Sequence, residues 1–145
     1  MPKCKALPSY ARDFLHHPWE VVLATLNPSG LPQQTVMWYC LEGESLFLSC
    51  LGTRKKVRNL HRNPEASALA VGPGCYLSLS GVVEVLPDEA YAQAMFERSV
   101  SRYVSPEKLD KMLSQLTDSS RVTLRMQILQ YHSHRVLAWL RGQGG

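Results

Sequence analysis

Short apolar and β-branched runs, with apolar and polar residues alternating in Arg121 to Tyr131, recur along the chain, and turn residues cut the runs apart. Glu20 to Leu26 (EVVLATL) is apolar and β-branched and runs into Asn27-Pro28-Ser29-Gly30, a reversal signal that predicts a hairpin. The expected second strand is Gln33 to Leu41, closed by Glu42-Gly43-Glu44, and Ser45 to Cys50 supplies a third. Three strands joined by tight turns are expected to form an antiparallel meander. Ala66 to Val71, Cys75 to Leu86 and Arg121 to Tyr131 extend the set, with Val136 to Leu140 as a further strand. Gly81, inside the longest run, predicts a bulge or a barrel corner.

Helical spacing appears in between. Ser9 is placed to cap a short helix through Tyr10, Phe14 and Leu15 that Pro18 would stop, and Thr53 opens a helix after the third strand. Pro87-Asp88-Glu89 opens a stretch whose face carries Ala90, Ala94, Met95, Phe96 and Val100. Ser105-Pro106-Glu107 starts another, with Leu109, Met112, Leu113 and Leu116 in register. Six or seven antiparallel strands with two or three helices, and no repeat or linker, make a mainly β chain. Such a set closes most simply as a small barrel, which removes exposed sheet edges. A chain of 145 residues is most simply one domain, 1–145.

Composition narrows the class. No apolar run approaches the roughly 20 residues of a membrane span, and the first residues hold lysines without an apolar core, so a cytoplasmic location is expected. Cys4, Cys40, Cys50 and Cys75 form no C-x-x-C pair, and the three inside strand-like runs, Cys40, Cys50 and Cys75, read as small buried hydrophobes; neither a disulfide framework nor a zinc site is indicated. His132 with His134, and His16 with His17, lack a third ligand at a suitable spacing, so no metal is expected.

Charge changes the picture more. The chain has 16 Lys plus Arg against 12 Asp plus Glu, and setting aside Arg54, Lys55, Lys56, Arg58 and Arg62 leaves 11 against 12. The excess is therefore local, which points to a defined anionic partner. These five lie in the helix opened by Thr53, whose start exposes unpaired N–H groups and the positive end of the helix dipole, the makings of a phosphate seat. Arg62, two turns further on, is expected to be silent in such a role.

Taken in order, Ala24-Thr25-Leu26 with Gly30 and Pro32, Leu46-Phe47-Leu48-Ser49, Thr53-Arg54-Lys55, and Arg58-Asn59-Leu60 with Asn63-Pro64 resemble the pyridoxamine 5′-phosphate oxidase-like family of FMN-binding split β-barrels. The resemblance spans roughly residues 15 to 131 and is nearest to the shorter branch that uses FMN or the deazaflavin F420. It implies that Ser49, Thr53, Arg54 and Lys55 hold the cofactor phosphate and that the ring lies along Thr35, Val36, Met37 and Trp38, partly through backbone groups. It also implies a homodimer with the cofactor between subunits, Tyr76 touching the ring from the second one, and an oxidoreductase acting by hydride transfer on a small molecule. No nucleic acid or membrane partner is implied. Two departures argue against pyridoxine phosphate oxidation: Cys40 stands where the oxidase has a basic residue for the vitamin phosphate, and its C-terminal substrate segment has no counterpart. The alternatives are a non-catalytic flavin- or haem-binding module, or a small RNA-binding barrel. The last is disfavoured because the basic cluster carries no aromatic stacking platform.

Overall fold

The computed structural model describes residues 6–115 and 120–143; Cys4 and Leu116 lie outside them. The strands are β1 (Val21–Leu26), β2 (Pro32–Met37), β3 (Cys40–Glu42), β4 (Ser45–Leu51), β5 (Glu65–Gly72), β6 (Cys75–Leu86) and β7 (Arg121–His134). Five helices accompany them, more than the two or three expected: α1 (Ser9–Leu15), α2 (Lys55–Arg62), α3 (Glu89–Tyr103), α4 (Pro106–Gln115) and α5 (Val136–Gln143). Among the described residues no helix is long and apolar enough to cross a membrane.

All seven strands belong to one antiparallel sheet in the order β2-β1-β5-β6-β7-β4-β3. Its two edges, β2 and β3, are separated in sequence only by Trp38 and Tyr39. The sheet therefore curls until one crossing of chain spans its two edges. Among the described residues no ladder joins β2 to β3, so the barrel stays split. Alternate residues point inward, and Leu23, Leu46, Leu48, Leu77, Leu79, Leu124, Met126 and Ile128 fill the interior without exposure.

The expected meander does not form, because β2 pairs with β1 while β3 pairs with β4. At the crossing, side chains take the place of a neighbouring strand. The Tyr39 N–H donates to the Tyr103 hydroxyl at 3.3 Å, and Trp38 stacks on the Tyr103 ring with centroids 4.7 Å apart. The buried Tyr39 hydroxyl sits 2.7 Å from the Leu15 carbonyl and 2.8 Å from that of His17. Burial, and then the neighbouring Tyr103, push the Tyr39 hydroxyl far above the ordinary tyrosine pKa.

Three further expectations are corrected. Val136 to Leu140 is helix, not strand: Arg135 takes a positive φ of 58° and turns the chain off β7. Trp139 then meets Phe14 and Trp19 edge-on at 5.7 and 5.2 Å. A five-residue apolar run is too short to separate the two periods. The buried face of α3 is Ala92, Met95, Phe96, Ser99 and Val100, with Ala90 and Ala94 exposed. Its cap is Asp88, whose carboxylate accepts the Tyr91 N–H at 2.8 Å. Ser9 is the first residue of α1 rather than its cap, a place held by Pro8.

Gly81 marks the bulge between β6 and β7, where the register shifts. A Cβ there would lie 1.8 Å from the Gln127 carbonyl oxygen. Gly81→Ala is expected to cost about 1–3 kcal/mol or more, because backbone rather than a flexible side chain must move. A urea midpoint unchanged from wild type would contradict this.

Candidate cofactor site

Where β4 ends, the Gly52 N–H donates to the Ser120 carbonyl at 2.7 Å, tying the turn to the start of β7. The Arg54 N–H donates to Leu51 O at 3.1 Å, and α2 begins at Lys55 with Arg54 in the cap position. Thr53 does not cap the helix; it is exposed, and no side-chain cap bond forms. The N–H groups of Lys55 and Lys56 fall in the first turn, where the helix itself offers no acceptor.

The other end of α2 is structural. Val57 and Leu60 enter the core, and the buried Asn59 amide nitrogen lies 3.1 Å from Thr25 Oγ1, 3.2 Å from Asn27 Oδ1 and 3.3 Å from Gln33 Oε1. Arg62 donates to Leu26 O and, at 3.0 Å, to Asn59 Oδ1, while Arg58 donates to Thr53 O at 2.8 Å. Two of the five clustered cations are thus used by the protein itself. Arg62 has a structural task, and Arg62→Ala is expected to lower the thermal midpoint by removing one of the links between α2 and the β1–β2 hairpin. An unchanged midpoint would show that link to be dispensable.

The three cations at the helix start differ. Among the described residues Arg54, Lys55 and Lys56 have no carboxylate partner and no side-chain hydrogen bond. Arg54 and Lys55 are exposed, but Lys56 is half-buried, and burial, with Arg54 beside it, lowers its ammonium pKa. Burial pushes the Cys50 thiol up, opposed by the charges of Lys56, Arg121 and Arg54. The turn after β4 is their common neighbourhood, since the Arg54 N–H bonds Leu51 O and Leu51 pairs with Arg121. Ser49 belongs to it too, its hydroxyl 3.4 Å from Arg121 Nη1.

The predicted ring strand lies along β2. Its register with β1 and the burial pattern turn Thr35 and Met37 inward and Val36 outward, while Trp38, one residue past the strand, stacks on Tyr103. The Thr35 hydroxyl is buried with no hydrogen-bond partner. Asn59 joins α2 to β2 through Gln33. Lys55 stands one turn before Asn59 on the same helix face, and Thr35 two residues beyond Gln33 on the same strand face. Asn59 is thus the tie between α2 and the start of β2.

Tyr76 does not join them within one chain. It lies on the outer face of β6, three strand spacings or about 14 Å from β2, with its ring stacked on His134 at 5.2 Å. That outer face carries an apolar strip: Val36 (61% exposed), Val22 and Leu69 stand opposite one another across β2, β1 and β5, and Val71 (55% exposed), two residues along β5 from Leu69, stands opposite Tyr76. Three surface depressions, the largest about 390 Å³ beside Pro64, Glu84 and Arg125, include none of the predicted cofactor residues.

Sequence reasoning passed over Arg121, Thr123 and the half-burial of Lys56. Arg121 and Thr123 are 67 or more positions from Arg54, and only the β4–β7 register, Ser49 opposite Thr123 and Leu51 opposite Arg121, brings them in.

The family model described as pyridoxamine 5′-phosphate oxidase matches residues 7–135. The chain belongs to that family. No curated protein matches it in sequence. Among solved structures, this family member is similar to an F420 reductase at 28% identity, covering 83% of this chain and 94% of that one, with a TM-score of 0.70. It is similar to the conserved hypothetical protein Rv2991 from Mycobacterium tuberculosis at 25% identity, covering 95% and 92%, with a TM-score of 0.73. The fold alone is shared with a pyridoxamine 5′-phosphate oxidase-related, FMN-binding protein from Nostoc punctiforme at 14% identity, covering 86% and 81%, with a TM-score of 0.64.

Proposed function

We propose that the protein is an FMN- or F420-dependent oxidoreductase that works as a homodimer, with each cofactor clamped between subunits. The observation that carries this is the start of α2, where Arg54, Lys55 and the half-buried Lys56 lack any acidic partner among the described residues. A partly desolvated ammonium without an anion is unfavourable, and a phosphate relieves it. On β2, the buried and unpartnered Thr35 hydroxyl leaves a donor open along the strand assigned to the ring.

In this reading Ser49, Thr53, Arg54 and Lys55 hold the phosphate, and β2 from Thr35 to Trp38 carries the ring. Because Thr35 and Met37 face inward, they reach the ring through backbone groups, while Val36 offers its side chain and Trp38 the ring face turned away from Tyr103. Bound flavin or deazaflavin supplies the hydride chemistry; the chain binds, orients and excludes water. The apolar outer face gives a second copy its seat and lets that copy's Tyr76 reach a ring that its own β2 cannot share.

Oxidation of pyridoxamine 5′-phosphate is not expected. Cys40 is buried under α3, with Sγ 3.5 Å from Ser99 Oγ, and offers a substrate phosphate no charge. The test of the reading is a pair of titrations of cofactor-free protein. FMN is expected to bind at least about tenfold more tightly than riboflavin, the value of one charge-assisted hydrogen bond to phosphate. Equal affinities would remove the phosphate seat.

A further inference from the structure

Arg121 begins β7 directly opposite Leu51, so it stands at the same end of the ladder as the turn into α2. Its guanidinium carbon lies 3.6 Å from the centre of the Phe96 ring, which holds the planar fork against the sheet. From there Nη1 reaches within 3.4 Å of Ser49 Oγ. Thr123 pairs with Ser49 and so shares its face of the sheet. Thr123 has 0% exposure, and its hydroxyl has no hydrogen-bond partner. A buried hydroxyl left unbonded costs free energy that an acceptor oxygen would recover. Leu51, the residue opposite Arg121, accepts the Arg54 N–H at 3.1 Å, which brings the start of β7 and the turn into α2 to one end of the sheet.

We infer that Arg121, with the Ser49 and Thr123 hydroxyls, forms a second wall of the phosphate seat, contributed by β7 and facing the start of α2. The inference rests on the phosphate reading above and adds a ligand to it. Two walls matter because a phosphate has several oxygens: the helix start addresses those on one side, and a guanidinium fork those on the other. A solvated basic face would need neither the buried hydroxyl nor the aromatic ring beneath the arginine.

The test compares FMN with riboflavin, which lacks only the phosphate, on three variants. Arg121→Gln is expected to lower FMN affinity by about tenfold or more and leave riboflavin affinity unchanged, while Arg121→Lys recovers part of the loss. Thr123→Val keeps shape and removes the unbonded hydroxyl. It is expected to raise the thermal midpoint of the cofactor-free protein while narrowing the preference for FMN, and it carries the test if Arg121→Gln does not fold. The same comparison of F420 with its phosphate-free chromophore extends it to the other cofactor. If Lys55→Ala narrows the FMN preference but neither Arg121→Gln nor Thr123→Val does, the β7 wall is wrong and the α2 seat stands. If the wild type prefers neither ligand, the underlying reading has failed.

Discussion

Replacing Lys55 by alanine should weaken FMN or F420 binding by about 10- to 150-fold, the value of one charge-assisted hydrogen bond to phosphate. Lys55→Glu should weaken it further by repulsion. Folding should hardly change, because the side chain is exposed and makes no hydrogen bond among the described residues. Riboflavin binding should be untouched by either change. Arg62→Ala supplies the contrast: its bonds to Leu26 and Asn59 are internal, so stability falls while the folded fraction keeps its affinity. A nucleic-acid surface would show the opposite pattern, with similar losses at Lys55 and Arg62 and a steep salt dependence. Equal losses, or none at Lys55, would remove the phosphate from the start of α2.

Val71→Asp should convert the proposed homodimer to monomer. Val71 is 55% exposed on a single chain and sits beside Tyr76 in the ladder, within the apolar outer face. On a free surface such a change is worth within about 0.5 kcal/mol. Against a second copy it buries an unpaired carboxylate, which costs several kcal/mol and so weakens self-association by about 100-fold or more. Light scattering at micromolar concentration should give twice the 16.3 kDa chain mass for the wild type and the single mass for Val71→Asp. Cofactor affinity should fall in the variant as well, since the partner's contribution to the ring is lost. A monomeric wild type that still binds cofactor tightly would contradict the shared site.

Much of the sheet was legible because its strands are short apolar or alternating runs and its turns carry Pro and Gly where reversals need them. The bulge at Gly81 was legible for the same reason, since only glycine admits the Gln127 carbonyl there. The path of the chain at Trp38 and Tyr39 was not. Those residues continue the apolar run of β2, and what ends the strand is the arrival of Tyr103 and Arg102, 63 or more positions away, at the Tyr39 backbone. The start of α2 was legible as a local charge excess, whereas its separation into an open end and a structural end depends on which carbonyls Arg58 and Arg62 reach. Arg121 and Thr123 carried no local signal. Their place beside Ser49 comes from the pairing of β4 with β7 across more than 70 residues.

The central claim is that a phosphorylated tricyclic cofactor occupies the seat at the start of α2. Its most direct test is the absorption spectrum of protein purified from its native host, with mass spectrometry of the ligand released on denaturation. The account predicts a flavin or deazaflavin chromophore and a released mass that includes the phosphate. A haem spectrum, or a released ligand made of nucleic acid, would contradict it.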